Sequence, residues 1–288
     1  MFNSYQKTFY EALRLCINQA IKEDLGVEGD HTSKAIFPAE HQSTATLIAK
    51  DTGVLAGVRF CKLVLDLHAP NIKLTPIIED GGHFNNGDTL FTLSGNTQNI
   101  LSLERILLNA VQRMSGIATI TNSVQNLIQH TSCRVLDTRK TTPNFRVAEK
   151  WAVHIGGGVN HRMGLYDAIM LKDNHIDFCG GLSSALDKIN TYVQGLSNSV
   201  PIIVETRNIE EVKVCLKYPW LNRILLDNMT PDRLHEAISV IAGAFPTEAS
   251  GNISPKNIVS YAETGVDFVS LGYITHSAPI VDVSLRAI

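Results

Sequence analysis

The stretch VPIIVETRN, at residues 200–208, is a short apolar run that ends abruptly in charged and polar residues. The second half of the chain contains five further runs of the same kind: CRVLDTRK (133–140), DAIMLKDNH (167–175), RILLDNMT (223–230), FPTEASGN (245–252) and VDFVSLGY (266–273). Apolar runs of this length are typical of strands that are buried on both faces, as in parallel sheets covered by helices. The pattern therefore predicts six parallel β-strands.

Segments with helical character separate the later runs, among them EEVKVCLK (210–217) and PDRLHEAISVIAG (231–243). Alternating strands and helices indicate βα units. The apolar runs end at residues 137, 171, 204, 226, 248 and 270, which gives intervals of 34, 33, 22, 22 and 22 residues. Six such units in succession favour an α/β barrel, although the spacing is also compatible with an open, doubly wound sheet.

The first half of the chain shows different patterns. Apolar residues at helical spacing between Phe9 and Ile21 predict an amphipathic helix that ends at Gly26. Between residues 43 and 93, the β-type runs TATLIA, GVLAGV, IKLTPII and DTLFTL are separated by glycines and asparagines, which predicts a small, mostly antiparallel sheet. A second amphipathic helix is expected over residues 102–114.

One arginine of this second helix faces away from its apolar stripe. Arg105 follows Leu103 by two residues, which places it about 200° round the helix from the core-facing position. Two interpretations remain open: Arg105 is an ordinary solvated arginine, or it reaches across an interface to a ligand that is held elsewhere.

The composition excludes several classes of protein. With 44% hydrophobic and 18% charged residues the chain is an ordinary globular one, and its net charge of -3 gives no general attraction to nucleic acid or to an anionic membrane. Five cysteines without a CxxC pair favour a reducing compartment over a disulfide framework. No apolar stretch approaches the length of a membrane span, and the first residues show no signal-peptide pattern, so we expect a cytoplasmic protein.

Positive charge is concentrated between Asp137 and His175. This stretch contains six Lys or Arg and three His residues against four Asp or Glu. The cations come in clumps that apolar residues and glycines separate, whereas a solvated tail would carry a continuous run of like charge. The pattern is compatible with a site for a multiply negative small molecule, and equally with an ordinary basic surface.

The residues at the predicted strand ends favour the site. In α/β barrels the active site lies where the strands end, at their C-terminal edge. The predicted ends carry Thr138-Arg139-Lys140, Lys172-Asp173-Asn174-His175, Glu205, Asp227-Asn228, Ser250-Gly251-Asn252 and Ser270-Leu271-Gly272. The first two groups are cationic, the next two are acidic and suit Mg²⁺, and the last two are small residues of the kind whose backbone N–H groups bind phosphate.

Three alternatives were open at this level. Lys172 at a strand end could form a Schiff base with a carbonyl substrate. The acidic loop with Asp24, Glu28, Asp30 and His31 could hold a metal, although a solvated loop fits it better. A binding or scaffold protein could use the same barrel without catalysis, but it would be expected to have lost some of the cations and acids at the strand ends.

The residues of the strand ends and their surroundings resemble one enzyme family. DTRKTTPNFR, EKWAV, GGGVNHRMGLYDAIMLKDNH, EASGNI and TGVDFVSLGYITHSAP are similar to segments of the quinolinate phosphoribosyltransferases, and LSLERILLNAVQRMSGIAT upstream resembles the same family. The resemblance extends from about residue 20 to the C-terminus. Asn144 and Phe145 stand where glycine and leucine are expected, and Ile106 and Leu107 where threonine and alanine are common.

The resemblance implies a fold, a reaction and an assembly. The expected fold is an N-terminal α/β sandwich over residues 1–115, which the tail at about 274–288 rejoins, and an incomplete α/β barrel over 116–273. The expected reaction transfers phosphoribose from 5-phosphoribosyl 1-pyrophosphate to quinolinate with loss of CO₂ and requires Mg²⁺. The expected assembly is a homodimer in which Arg105 reaches the site of the other subunit.

The resemblance also implies roles for individual residues. Cations for the two quinolinate carboxylates match Arg139, Lys140, His161, Arg162 and Lys172, beside Thr138 and the partner's arginine at position 105. Residues that hold the ribose hydroxyls and Mg²⁺, directly or through water, match Glu205 and Asp227. The phosphate loops match Ser250-Gly251-Asn252 and Ser270-Leu271-Gly272. Lys140, Lys172, Glu205 and Asp227 are the residues expected to take part in catalysis.

Overall fold

The computed structural model describes residues 6–288, and the side chains from position 8 onward. Within this range the helices are α1 Gln6–Leu25, α2 His31–Ile36, α3 Val58–His68, α4 Thr97–Leu127, α5 Arg146–Ile155, α6 Asp173–Phe178, α7 Leu182–Gln194, α8 Ile209–Cys215, α9 Pro231–Ile241, α10 Ile258–Ala262 and α11 Tyr273–His276. The strands are β1 Gln42–Ala49, β2 Gly53–Val54, β3 Lys73–Pro76, β4 His83–Phe84, β5 Thr89–Asn96, β6 Arg134–Leu136, β7 Ile169–Leu171, β8 Ile202–Thr206, β9 Arg223–Asp227, β10 Thr247–Ser250, β11 Phe268–Ser270 and β12 Val283–Ala287.

The chain divides into two compact units. The first contains the chain up to Asn122 together with Thr141–Gly157 and Ile274–Ile288, and the second contains Ser123–Lys140 and Gly158–Tyr273. The domain boundary predicted after residue 115 falls inside helix α4, and residues 141–157 were not predicted to belong to the first unit. Helix α4 is the reason for the first difference, because it continues without interruption to Leu127.

The first unit is built on a four-stranded antiparallel sheet in the order β12-β1-β5-β3. Strand β12 pairs with β1 over five residues, so the C-terminal segment completes this sheet. Inward side chains of the strands, such as Leu47 and Leu93, are fully buried. The predicted antiparallel sheet and the predicted helix over residues 9–25 are therefore both confirmed.

Helix α3 was missed by the sequence analysis, which assigned GVLAGV to a strand. Only Gly53 and Val54 of that run are strand, and the chain then enters the helix at Val58. No local residue caps the helix. Asp80, more than twenty residues downstream, accepts the backbone N–H groups of Gly57 and Val58 at 2.7 and 2.9 Å. Because this cap comes from a distant loop, the usual signal just before the helix is absent.

Two departures from the family pattern have a structural explanation within the first unit. Asn144, which stands where glycine is expected, has φ of 62°, in the left-handed region that asparagine tolerates better than most other residues. Phe145 packs its ring against that of Phe60, with the centroids 5.9 Å apart. Asn144 therefore suits the local backbone, and Phe145 packs beside it against Phe60.

The second unit contains a six-stranded parallel sheet in the order β6-β11-β10-β9-β8-β7. Strands β7 to β11 are neighbours in sequence order, and β6 pairs with the last of them. Strands β6 and β7 are the two edges of the sheet. This is the strand order of a barrel that stays open between its first two strands. The predicted six strands and the incomplete α/β barrel are confirmed, and the doubly wound sheet is excluded.

Two expectations about the surface can be compared with the described residues. Within residues 6–288, no helix is both long enough and apolar enough to cross a membrane. In the acidic loop, Asp30 caps α2 by accepting the backbone N–H of Ser33 at 3.1 Å. Over the same residues, no three His, Cys, Asp or Glu side chains are grouped so that they could hold a metal ion.

A buried ion pair connects distant segments of the first unit. Arg113 of α4 donates Nε to Glu149 of α5 at 2.9 Å, and Glu149 is fully buried. The guanidinium also donates to the backbone oxygens of Thr275 and Ala278. Glu149 in turn accepts the backbone N–H and the hydroxyl of Thr142 at 3.0 and 2.8 Å. The Arg113–Glu149 pair thus joins α4 and α5 to the chain at Thr142 and at residues 275–278.

Replacing Arg113 by alanine is expected to lower the free energy of unfolding by about 3–5 kcal/mol, since it leaves the Glu149 carboxylate buried without its cation. Urea denaturation followed by circular dichroism measures the change. Arg59→Ala is the matched control, because that side chain is 67% exposed and lies 3.9 Å from Asp80; its removal should cost no more than about 1 kcal/mol. Equal losses in the two variants would contradict this role for the pair.

Candidate active site

The parallel register brings the predicted site residues of the second unit to one edge of the sheet. Leu171 is level with Val204, and Asp227 is level with Ser250. Residues that follow the ends of neighbouring parallel strands must therefore lie side by side. The ends of all six strands, from Asp137 to Gly272, meet at this edge.

Lys172 and Glu205 form an ion pair across two neighbouring strands. Lys172 follows β7, and its Nζ lies 2.5 Å from Oε2 of Glu205 in β8. The lysine side chain is 43% exposed and the carboxylate only 9%. The backbone N–H of Lys172 donates to Nδ1 of His175, which fixes the start of helix α6. A Schiff-base lysine needs a neutral, accessible amine, whereas this amine is engaged by a carboxylate.

Asp227, at the end of β9, is the second acid of the site. Burial raises the pKa of its carboxyl above the ordinary value, and the negative charge of Glu205 raises it further. The side-chain amide of Asn228 donates to Asp227 at 2.6 Å. Two carboxylates that act on each other in this way suit Mg²⁺, which usually takes one or two protein carboxylates and completes its shell with water and substrate phosphates.

The backbone is tightly packed just after strands β9 and β10. Asn228, Gly251 and Asn252 have φ values of 54°, 97° and 53°, all in the left-handed region. A Cβ on Gly251 would lie 2.2 Å from Oδ1 of Asn228, so no larger residue fits there. The backbone N–H of Asn228 donates to the carbonyl of Ser250 at 2.8 Å. The loop after β10 is thus held directly beside the acid at the end of β9.

The loop after β11 begins inside the sheet. The hydroxyl of Ser270 donates to the carbonyl of Ala249 at 3.4 Å. Leu271 is buried, and its backbone N–H donates to the carbonyl of Leu136 at 3.0 Å. These two residues therefore join the ends of neighbouring strands, and Gly272 is the first residue of the segment beyond them.

The cationic part of the site combines the turn after β6 with residues 160–162. Arg139 and Lys140 are exposed, and Thr138 shapes their turn by accepting the N–H of Lys140 at 3.0 Å. Arg162 donates Nη1 to the carbonyl of Ala168 at 3.0 Å. Burial lowers the pKa of the Arg162 guanidinium, and the charge of Arg139 lowers it further. Two arginines whose like charges oppose each other favour an anion between them.

A buried carboxylate of the second unit and its arginine partner were not identified from the sequence. Glu248 lies in β10 with its side chain 1% exposed, and Arg223 of β9 donates Nη1 to its Oε2 at 2.9 Å. His161 brings Nε2 to 3.3 Å from the same oxygen, and its side chain is only 6% exposed. A glutamate inside a predicted buried strand was the available signal, because a carboxylate is rarely buried without a cation.

Arg105 belongs to the first unit. It lies on α4 and is exposed, as the helical spacing predicted, while Leu103 on the same helix is buried. Its orientation is therefore confirmed. The predicted role of Arg105 in the site of another subunit stays a prediction.

Comparison with known proteins gives a consistent result. The sequence matches the description "Quinolinate phosphoribosyl transferase, N-terminal domain" over residues 30–115 and "Quinolinate phosphoribosyl transferase, C-terminal domain" over residues 117–286. It is 39% identical over 288 residues to a quinolinate phosphoribosyltransferase (decarboxylating) of Nicotiana glauca. The alignment covers 95% of this chain and 82% of the relative.

Another relative and a solved structure agree with these matches. The nicotinate-nucleotide pyrophosphorylase (carboxylating), chloroplastic, of Oryza sativa is also 39% identical over 288 residues, which is 95% of this chain and 77% of that protein. The structure of the nicotinate-nucleotide pyrophosphorylase from Francisella tularensis superimposes with a TM-score of 0.87 at 34% identity and covers 96% of both chains. Fold, strand-end residues and these similarities show that the chain belongs to the quinolinate phosphoribosyltransferase family.

Proposed function

We propose that the protein transfers the 5-phosphoribosyl group of 5-phosphoribosyl 1-pyrophosphate to quinolinate and releases CO₂. The products are nicotinate mononucleotide, pyrophosphate and CO₂, which is a step of de novo NAD biosynthesis. The observation that carries this proposal is the arrangement of the strand ends: Arg139 and Arg162 oppose each other's charge on one side, and Glu205 and Asp227 do so on the other. Lys172 connects the two groups through its bond to Glu205.

The cationic side suits the dicarboxylate. Arginine binds a carboxylate through two parallel hydrogen bonds, so Arg139 and Arg162 can each orient one carboxylate of quinolinate. Lys140 and Lys172 add charge, and Thr138 keeps the turn that carries Lys140 in place. Charge-assisted hydrogen bonds contribute roughly 1.5–3 kcal/mol each. Several of them together select a molecule with two carboxylates over one with a single carboxylate.

The acidic side and the glycine-containing loops suit the sugar phosphate. Glu205 and Asp227 can accept hydrogen bonds from the ribose hydroxyls. The loops Ser250-Gly251-Asn252 and Ser270-Leu271-Gly272 are proposed to receive the 5′-phosphate through backbone N–H groups. The backbone N–H of Leu271 is bonded to the carbonyl of Leu136 and the side chain is buried, so Leu271 anchors this loop to the core.

Mg²⁺ is proposed as the cofactor, with Glu205 and Asp227 as its protein partners, directly or through water. When bound, it would neutralise the negative charge of the pyrophosphate group. The raised pKa of Asp227 beside Glu205 supports this assignment, because a divalent cation would relieve the repulsion between the two carboxylates.

The proposed reaction requires little proton transfer from side chains of the protein. The pyridine nitrogen carries a free lone pair, so its attack on C1 of the ribose needs no general base, and the C1–O bond to pyrophosphate breaks as the new C–N bond forms. Lys140 and Lys172 supply positive charge to the departing pyrophosphate. The ribosylated nitrogen is positive and stabilises the carbanion left at C2 when its carboxylate departs as CO₂. That carbon then takes a proton from water.

A homodimer with Arg105 contributed across the interface is part of the proposal. The exposed position of Arg105 on α4 supports it, because a cation that faces away from its own core is available to a neighbouring chain. We also propose a cytoplasmic location. All five cysteines are free thiols, which is compatible with a reducing compartment.

The reaction itself is tested by following CO₂ release from quinolinate labelled at the C2 carboxylate. Release should require 5-phosphoribosyl 1-pyrophosphate in stoichiometric amounts. Removal of divalent cations with EDTA should abolish it, and added Mg²⁺ should restore it. Release without the sugar phosphate, or consumption of nicotinate at the same rate as quinolinate, would contradict the proposal.

Single replacements at the cationic side should remove activity without unfolding the protein. Arg162→Ala and Lys172→Ala are each expected to lower kcat/KM by about 100-fold, because each removes a charge-assisted bond to a substrate carboxylate. Steady-state kinetics and circular dichroism measure the two effects. Lys213→Ala is the control, since that exposed lysine pairs only with Glu210 in the described chain and its loss should leave kcat/KM within twofold. A folded Lys172→Ala variant with normal kinetics would exclude the role given to Lys172.

The dimeric site is tested by complementation between two inactive variants. Arg105→Ala and Lys172→Ala should each be inactive as homodimers. When the two chains are co-expressed with different tags, the purified heterodimer has one site with both residues intact. A 1:1 mixture of exchanged chains should then recover about a quarter of wild-type activity, because half of its dimers are mixed and each mixed dimer has one good site. Heterodimers as inactive as the parents would show that Arg105 does not act on the neighbouring subunit.

A further inference from the structure

The parallel sheet contains a buried carboxylate for which the proposed reaction has no direct use. Glu248 of β10 is level with Leu225 on one neighbouring strand and with Phe268 on the other. Its side chain is 1% exposed. A carboxylate in such surroundings is unfavourable unless cations or hydrogen-bond donors surround it. The groups that contact Glu248 therefore indicate what it does.

Both partners of Glu248 approach the same oxygen. Nη1 of Arg223 lies 2.9 Å from Oε2 of Glu248, and Nε2 of His161 lies 3.3 Å from that atom. The guanidinium of Arg223 also rests 4.4 Å from the ring centre of Phe268. Burial alone would raise the pKa of the Glu248 carboxyl, but the hydrogen bond from His161 and the positive charge of Arg223 hold that pKa below its ordinary value. Glu248 is thus an anion inside the sheet.

The two nitrogens of the His161 imidazole face two different groups. Nδ1 accepts the backbone N–H of Arg162 at 2.7 Å. A nitrogen that accepts a hydrogen bond carries no proton, so in the neutral ring the proton is on Nε2, the atom that faces Glu248. One ring thus connects the buried carboxylate directly to the backbone of the next residue, which is Arg162.

A second buried carboxylate holds the same segment from the other side. Asp137, fully buried at the end of β6, accepts the backbone N–H of His161 at 2.8 Å and the side-chain amide of Asn160 at 2.6 Å. Residues 160–162 are therefore fixed between Asp137 and Glu248. The guanidinium of Arg162 leaves this fixed segment and is half-buried beside the charge of Arg139.

We propose that Arg223 and Glu248 are positioning residues: they hold His161 as the Nε2-protonated imidazole and, through its Nδ1, set the place of Arg162. The inference rests on the proposed function for the part that Arg162 plays in binding quinolinate. It gives His161 a different contribution from the one that the family resemblance implies. His161 acts on the dicarboxylate through Arg162, while its own two nitrogens bind the protein.

The first experiment uses Glu248→Gln, which keeps the shape of the side chain and removes its charge. The glutamine oxygen can take the place of Oε2, and its NH₂ group the place of Oε1, which accepts no hydrogen bond from the described residues.

The nitrogen NMR signals of His161, assigned by their loss in His161→Gln, should show a bare Nδ1 and a protonated Nε2 in the wild type. In Glu248→Gln the two signals should move towards each other. The KM for quinolinate should rise about tenfold, as expected when a charge-assisted bond becomes a neutral one, with the KM for 5-phosphoribosyl 1-pyrophosphate within twofold.

Asp267→Asn is the matched control on the same pair of strands. Asp267 precedes β11 and accepts the backbone N–H and the hydroxyl of Thr247 in β10, both at 2.8 Å. This variant also removes one hydrogen-bonded carboxylate between β10 and β11, at the first residue of β10 and so at the end of the strand away from the active-site edge. It should lower stability but leave the His161 signals and both KM values unchanged within twofold.

A second pair of variants serves if Glu248→Gln does not fold. The side-chain amide of glutamine can donate to Glu248 as Nε2 of histidine does, so His161→Gln should keep at least about a tenth of wild-type kcat/KM, whereas His161→Ala should lose at least about 100-fold. If glutamine is no better than alanine, or if the His161 signals and the quinolinate KM are unchanged in Glu248→Gln, the positioning role is wrong. Failure of the proposed function is recognised separately, as absence of quinolinate binding to the wild type by calorimetry, and the NMR comparison does not depend on it.

Discussion

The constraint on which the site depends is the parallel register of six short strands. Parallel strands end at the same edge of their sheet, and each end is free to carry a polar residue because the apolar run behind it is already buried. Lys172, Glu205 and Asp227 are separated by more than twenty residues from one another in the chain, yet the register places them on three neighbouring strands. The same rule brings Asp137 and Ser250 to that edge.

At this edge, like charges lie next to each other. In the protein without substrate, this arrangement disfavours the charged forms of Arg162 and Asp227. The pKa of Arg162 is lowered by burial and by Arg139, and that of Asp227 is raised by burial and by Glu205. Each of these shifts means that the charged form is disfavoured by its surroundings. A substrate that carries carboxylates at one end and a pyrophosphate with its cation at the other would relieve both. Lys172 bonded to Glu205 is an ion pair that spans the two groups.

Buried carboxylates perform the same structural task in both units. Asp80 caps α3 from a distant loop, and Glu149 joins α4 and α5 to the chain around Thr142. In the second unit, Asp137 and Glu248 hold the short segment that precedes Arg162. Each of these acids has at least one partner more than twenty residues away in the sequence, so no local pattern indicates the contact. A carboxylate accepts several hydrogen bonds at once, which suits it to this role.

The sequence by itself determined the architecture and most of the site. Apolar runs with polar ends specify parallel strands, because burial of an uninterrupted run requires cover on both faces, and the residues after Leu171 and Leu226 could be assigned to the active edge from spacing alone. Tertiary structure alone decided the rest. The start of α3 and the link from Arg223 through Glu248 to His161 depend on contacts between residues 22 or more positions apart. Local periodicity carries no information about such contacts, because burial and pairing of a charge are properties of the packed core.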